Sequence, residues 1–366
     1  MIEINGNYLE GGGQIVRTAL ALSTITNKPC HITDIRAGRK KPGLKAQHVH
    51  GVRALEALCQ AQTTGAELGS SYLEYHPGPM EGRTLSIDIG TAGAISLLLQ
   101  SLLLPCAFSD TKVRLKITGG TDTKWSMPID YVTQIVLPAL QTAASFKMES
   151  AKRGYYPKGG GKVDLTIIPK THRQQFDSLE AFLAHVHETY KPFDMTERGP
   201  LLQIKGISHA AEGLKRSQVA ERQAKAASHF LKSAINGVKV DISPEYHATE
   251  SLGSGITLWA IFQDARLGAD ALGERGKRAE IVGQEAARAL MAEIESGAPV
   301  DRHLCDNLIP FMGLMGGRIR TSKVSDHTLT NIHVTEQFLP VKFDVSDNTI
   351  KADKTCNEEN KVTVRS

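Results

Sequence analysis

The sequence predicts an α/β (α+β) chain built of repeated units, each with two helices on a small sheet. Two observations carry this. One order of elements, helix, strand, polar loop, helix, recurs about 80 residues apart. The strands alternate apolar and polar residues and the helices carry one apolar face, so each unit can bury a sheet against its own helices.

In the first copy a helix from Gly12 to Thr26 leads to the strand "HITDIRAG" (31–38). The loop "RKKPG" follows, then the helix "LKAQHVHGVRALEALCQA" (44–61). The second copy has a helix over 92–108, the strand "VRLKITGG" (113–120), the loop "TDTKWSM" and the helix "PIDYVTQIVLPAL" (128–140). A third copy lies near the carboxyl end: helix "HLCDNLIPFMGLM" (303–315), strand "RIRTSKVS" (318–325), loop Asp326-His327 and the segment "TLTNIHVTEQFL". Between copies two and three the pattern changes. Long amphipathic helices at 213–235 and 277–296 flank the strands "GVKVDISPEY" and "GITLWAIFQDA", an α+β module inserted into the last repeat. The polar tail, 347–366, reads either as a last strand or as a frayed end.

Bulk composition narrows the function classes. Lys and Arg exceed Asp and Glu by only 43 to 39, so contact with a nucleic acid has to come from local clustering of charge. The five cysteines (Cys30, Cys59, Cys106, Cys305 and Cys356) form no C-x-x-C pair, which suits free thiols in a reducing compartment rather than disulfides or a zinc site. The start, "MIEINGNYLEGG", has neither the basic nor the apolar region of a signal peptide. The most apolar stretch, 92–108, is shorter than a membrane span and contains Ser96, Gln100, Ser101 and Pro105, so it is expected to be a core helix. A cytoplasmic protein with no membrane partner is expected.

Three loops could hold chemistry. In "LEGGGQIVRTALALS" (9–23) three glycines precede a helix start, where free N–H groups and the helix dipole favour an anion. Glu10 and Arg17 flank them, and no P-loop or G-x-G-x-x-G pattern is present; read alone, the glycines suit a flexible turn as well as an anion seat. The segment "DIRAGRKKPGLKAQHVH" gathers Arg36, Arg39, Lys40, Lys41 and Lys45, and guanidinium forks match phosphate oxygens. That cluster is either a polyphosphate or nucleic-acid-backbone site or a solubilising loop. In "SDHTLTNI", His327 occupies the equivalent loop of the third copy; an imidazole can serve there as nucleophile, base or ligand near neutral pH.

The stretches "EGGGQIVRTALALS", "IRAGRKKPGLKAQH", "GTAGAISLLLQ", "GGTD", "YYPKGGG", "HLCDNLIPFM" and "DHTLTNIHVTEQFLP", in this order, together resemble the RNA 3'-terminal phosphate cyclase family. The resemblance runs to about Phe343 and is weakest in the inserted module. It implies a catalytic core of three repeated units, 1–205 and 297–366, each a four-stranded sheet with two helices like the C-terminal domain of bacterial translation initiation factor three. It also implies a small inserted α/β domain at 206–296.

The implied reaction uses ATP and a divalent metal (Mg2+ or Mn2+) to convert an RNA 3'-phosphate end into a 2',3'-cyclic phosphodiester. The histidine of the family motif matches His327, which would attack the α-phosphorus of ATP to give a histidine–AMP and then an RNA-adenylate. Arg17, Arg36 and Arg39 match positions suited to clamping phosphates, Glu10 a metal-holding or orienting carboxylate, and Gln47 a polar contact. His303, Leu304, Cys305, Asp306 and Asn307 match the nucleotide-binding segment, in which tyrosine often stands at the first position and glutamine at the last. A ring there would stack on adenine opposite Pro128, with Gln100 a further ATP contact. RNA and ATP are the expected partners, and a homodimer is compatible with the sequence. Two alternatives are a non-catalytic relative acting in ribosomal RNA processing, which lacks the nucleophilic histidine, and the enolpyruvyl transferases, which share repeated α/β units.

Overall fold

A computed structural model describes residues 1–354. The recurring pattern is a βαβαββ unit, present three times. In the first, strand Ile2–Asn5, helix Gln14–Thr26, strand Cys30–Thr33 and helix Ala46–Cys59 are followed by the hairpin Gln62–Thr64/Leu73–His76. The second has strand Thr84–Asp88, helix Ile95–Ala107, strand Val113–Gly119, a helix over 129–139 and the hairpin Ala144–Lys152/Gly161–Pro169. The third has strand Phe193–Met195, helix Arg302–Met315, strand Gly317–Arg320, helix Asp326–Phe338 and the hairpin Val341–Ser346/Thr349–Lys354.

Each sheet has the same order, first–second–fourth–third strand, with the first pair parallel and the rest antiparallel. The opening strand and closing hairpin of each unit lie outside the repeat as read from sequence. Two expected strands are also shorter. The strand at 31–38 stops at Thr33 because Asp34 and Arg36 take left-handed backbone angles, φ 48° and 58°. The strand expected at 318–325 ends at Arg320. The tail forms a strand as far as Lys354; the remainder of that expectation, and Cys356, lie outside the described residues.

Between the first strand and first helix of the third unit sits the fourth sheet. Its strands are Leu201–Ala211, Lys239–His247, Ser254–Phe262 and Arg266–Leu272, backed by helices Val219–Ala234 and Ala279–Glu295. The residue-206 boundary expected for the inserted module therefore falls inside a strand that begins at Leu201. This module has its own core, including Ile204, Leu231, Leu258, Leu267 and Leu290. It docks on the second unit where Gly268 lies against the Tyr131 ring, leaving no room for a Cβ.

The helices do not all carry a single apolar face. Gln14–Thr26 is buried on every side, packed against Ile95–Ala107 and Asp326–Phe338. Its polar side chains are satisfied inside the core: Thr24 and Thr26 hydroxyls donate to the carbonyls of Leu20 and Leu22, and Thr18 donates to Asn331 Oδ1 at 2.7 Å. Helix 92–108 is confirmed as a core helix, and no helix among the described residues is long and apolar enough to cross a membrane. Cys30, Cys59, Cys106 and Cys305 are buried free thiols.

Candidate functional site

Helix packing brings residues from all three units to one cleft. It comprises two contiguous cavities that share Gln14, Arg17, Leu97, Trp125 and His327. The inner one, about 410 Å³, is lined by His303, Asp306, Asn307, Met127 and Gln100 and has the size of a small-molecule pocket. The outer one is larger and cationic, with Glu10, Gly12, Arg17, Arg36, Arg39 and Gln47 on its wall.

The three glycines have three separate explanations. Gly11 takes a left-handed φ of 54°. Gly12 faces the cavity, where a Cβ would lie 3.6 Å from Arg39 and 4.0 Å from His327. At Gly13 a Cβ would collide with the His48 ring, 2.1 Å from Nε2. Glu10, next to Gly11 on this loop, reaches two groups through Oε2: His327 Nε2 at 3.3 Å and Arg39 Nη2 at 3.4 Å.

Arg17 is a buried cation, 9% exposed, and among the described residues it has no carboxylate partner. Its Nε donates to Gln100 Oε1 at 2.8 Å. Gln100 in turn donates to Asn307 Oδ1 at 3.1 Å, and Asn307 donates to the His303 carbonyl at 2.7 Å. Burial, then the nearby Arg36, lowers the Arg17 guanidinium to about 10. Burial, then Arg17, Arg36 and Lys45, holds His48 well below the usual imidazole value. His48 Nδ1 accepts the Lys45 N–H at 3.0 Å, and its Nε2 lies 3.4 Å from Arg17 Nη1. A buried positive charge with no carboxylate beside it, facing a cavity, is electrostatically suited to an anion. Arg17→Met is therefore expected to raise the melting temperature of the free chain by a few degrees. It should also weaken pyrophosphate binding by about tenfold or more, read by calorimetry.

Arg36 lines the outer cavity from its left-handed position, with Nη1 braced on the carbonyls of Lys41 (2.6 Å) and Gly43 (3.2 Å). Of the five-cation cluster, Arg36 and Arg39 line the cavity and Lys40, Lys41 and Lys45 do not.

The 303–307 segment divides by helical geometry. His303, Asp306, Asn307 and Pro310, at i, i+3, i+4 and i+7, line the inner cavity, whereas Leu304 and Cys305 turn into the core. Pro128 is the buried N-cap residue of helix 129–139, and Met127 lines the cavity in its place. Asp301 holds the start of the 302–315 helix, accepting the backbone N–H groups of His303 (3.0 Å) and Leu304 (2.9 Å).

Asp306 anchors the His327 helix rather than facing only the cavity. Its Oδ1 accepts from Thr328 Oγ1 at 2.6 Å and Ser325 Oγ at 2.9 Å, and Ser325 is the N-cap of helix Asp326–Phe338. Gln14 completes the support by donating to the His327 carbonyl. Gln14, Asp301 and Ser325 were not singled out in the sequence; Asp and Ser just before a helical run are the capping signal that marks the latter two.

Burial pushes the Asp306 carboxyl up to about 6, against the hydrogen bonds from Thr328 and Ser325. A carboxyl raised on folding contributes stability that is complete below the unfolded value near 4 and is lost as pH rises through 6. Asp306→Asn is therefore expected to stabilise the chain by about 1–3 kcal/mol at pH 8 and by little near pH 4, measured by denaturant unfolding.

A family model described as RNA 3'-terminal phosphate cyclase matches residues 8–345. Curated relatives carry that same name. The Pyrococcus abyssi protein is 43% identical over 346 residues, covering 94% of this chain and 95% of the relative. The Archaeoglobus fulgidus protein is 42% identical over 349 residues, with coverage of 94% and 98%, and that of Ignicoccus hospitalis 41% over 347, with coverage of 93% for both. The match spans all three units and the inserted module alike, and on that extent the chain belongs to the RNA 3'-terminal phosphate cyclase family.

Proposed function

We propose that the chain converts an RNA 3'-terminal phosphate into a 2',3'-cyclic phosphodiester at the expense of ATP, through an adenylate carried on His327. One observation carries the reading: His327 lines both cavities, so its imidazole stands between a nucleoside-sized pocket and a cationic chamber.

The nucleoside of ATP occupies the inner cavity, with His303 against the base and Gln100 and Asn307 supplying polar contacts. Its phosphates enter the outer chamber among Arg17, Arg36 and Arg39. His327 Nε2 attacks the α-phosphorus from the tautomer whose proton is on Nδ1; the bond to the β-phosphate breaks and pyrophosphate leaves. An oxygen of the RNA 3'-phosphate then takes the AMP from His327. Finally the adjacent 2'-hydroxyl attacks the 3'-phosphorus, the bond to the adenylate phosphate breaks, and the hydroxyl proton leaves with the departing AMP. Positioning and charge neutralisation supply most of the catalysis in such transfers, which is what Arg17 and Arg36, each braced by hydrogen bonds, and the more exposed Arg39 provide.

Among the described residues no three His, Cys, Asp or Glu side chains cluster as a metal cage. Mg2+ and Mn2+ take oxygen ligands and need few of them from the protein, and Glu10 would be the carboxylate that holds such an ion here. A bound divalent ion would add charge neutralisation at the phosphates.

Mass spectrometry after incubation with ATP tests the proposal. One AMP adduct on His327 is expected; an adduct on another residue, or none, overturns it.

A further inference from the structure

The outer cavity has a wall that the adenylation chemistry does not use. It lies between the core and the inserted module, with Trp125 and Tyr156 on one side and Leu252 and Arg275 on the other. Trp125 is 94% exposed and Tyr156 77%, in a chain whose other tryptophan, Trp259, is 5% exposed. Leu252 is also exposed, at 67%. Large rings held bare in water at the lip of a cleft lose the burial that normally stabilises them, so they stand ready for a ligand.

The Trp125 backbone strengthens the point. It adopts φ 62°, a left-handed angle that is an outlier for a bulky residue and costs about 1–3 kcal/mol. Thr123 and Ser126 clasp the turn from either side, their hydroxyls 2.9 Å apart and Ser126 Oγ donating to the Thr123 carbonyl at 2.9 Å. The turn therefore displays the indole instead of folding it into the core. Trp125 also lines both cavities, at the junction beside His327 and Arg17. Across the mouth, Lys124 of the core pairs with Glu274 of the inserted module at 3.1 Å.

We infer that this aromatic wall is the seat of the single-stranded 3' end of the RNA. Trp125 stacks on the terminal base and Tyr156 on the base before it, while Arg275 and the Lys124–Glu274 pair border the backbone from the module side. The inference rests on the reading of the site as acting on a polynucleotide 3'-phosphate, and names how that end is held. Stacking on aromatic faces accepts any base, so the site selects a free single-stranded 3' end and not a sequence.

Binding of a 3'-phosphorylated oligoribonucleotide, titrated without ATP on the full chain, tests it. Trp125 emission is expected to be quenched on binding, with Trp259 contributing little change. Trp125→Ala should weaken binding about tenfold, and Trp125→Phe by no more than about threefold. An oligonucleotide whose terminal nucleotide is abasic should bind the wild type about tenfold more weakly than its normal counterpart, and should bind Trp125→Ala no worse than that counterpart. Equal affinity of wild type and Trp125→Ala, or equal discrimination against the abasic end by both, overturns the inference. Protein-bound adenylate is scored on the same wild-type preparation: its absence sinks the proposed reaction, while the stacking result is read independently from the oligonucleotide titration.

Discussion

Replacing His327 with alanine is expected to abolish protein-bound adenylate and to lower cyclisation by at least about 10³-fold. The size follows from the site's design. Arg17, Arg36 and Arg39 would still gather phosphates, and the inner cavity would still hold a nucleoside, so ATP binding should persist within about threefold. What is lost is the only step those groups cannot perform, formation of the phosphorus–nitrogen bond. The label in the wild type should be removed by acid and survive base, as a phosphoramidate does.

His303 is the control for this experiment, because its ring lines the same inner cavity. It is held below the usual imidazole value by burial and stands edge-on to Tyr131, ring centroids 6.2 Å apart. Its loss should raise the KM for ATP with the adduct still formed on His327. Retention of label in His327→Ala, or its loss only in His303→Ala, would reverse the assignment of nucleophile.

The parts of this arrangement that were legible in the sequence are those with long-range or compositional signals. The helices at 12–26, 44–61 and 92–108 have enough turns to reveal a period, and the loops carrying Glu10, Arg36 and His327 stand out by glycine, charge or position in the repeat. The opening strands of the units were not legible because three to five residues cannot establish an alternation; Phe193–Met195 is further cut off from its own unit by the inserted module.

The nucleotide segment shows the difference between a motif and a face. Contiguous residues 303–307 carry the resemblance, but a helix presents only every third or fourth side chain to one cavity, so Leu304 and Cys305 serve the core. Nothing in the sequence marks Trp125 beyond its loop position, since exposure and left-handed backbone angles leave no trace in composition. The reason for Gly13 was equally hidden: it depends on His48, which follows 35 positions later and meets it only after both helices pack.

The junction between the second unit and the inserted module carries the largest expected effect on stability. Arg153, 5% exposed, donates through Nη1 to Asp122 Oδ1 at 3.1 Å and through Nη2 to Asp130 Oδ2 at 2.6 Å. His209 of the inserted module approaches Asp122 Oδ1 at 3.3 Å and bonds Tyr155 Oη at 2.7 Å through its other ring nitrogen. Burial acts to raise the Asp122 carboxyl, but Arg153 and then His209 outweigh it and hold it below the usual carboxylate range. Arg153→Met leaves two carboxylates without their cation, one of them fully enclosed, and should lower the unfolding free energy by about 3–5 kcal/mol. Adding Asp122→Asn and Asp130→Asn removes the stranded charges and should recover most of that loss. The pH dependence supplies the sign. In the wild type a depressed carboxyl contributes stability present above the unfolded value near 4 and lost only as pH falls through its lower folded value. In Arg153→Met, burial dominates and raises Asp122, so its contribution is complete below about 4 and lost as pH rises. The deficit between variant and wild type should therefore be largest near pH 8 and narrow toward pH 4 in denaturant titrations. A deficit under about 1 kcal/mol, or one that does not change with pH, would mean that the junction is held by packing such as Gly253 against Tyr155 and not by charge.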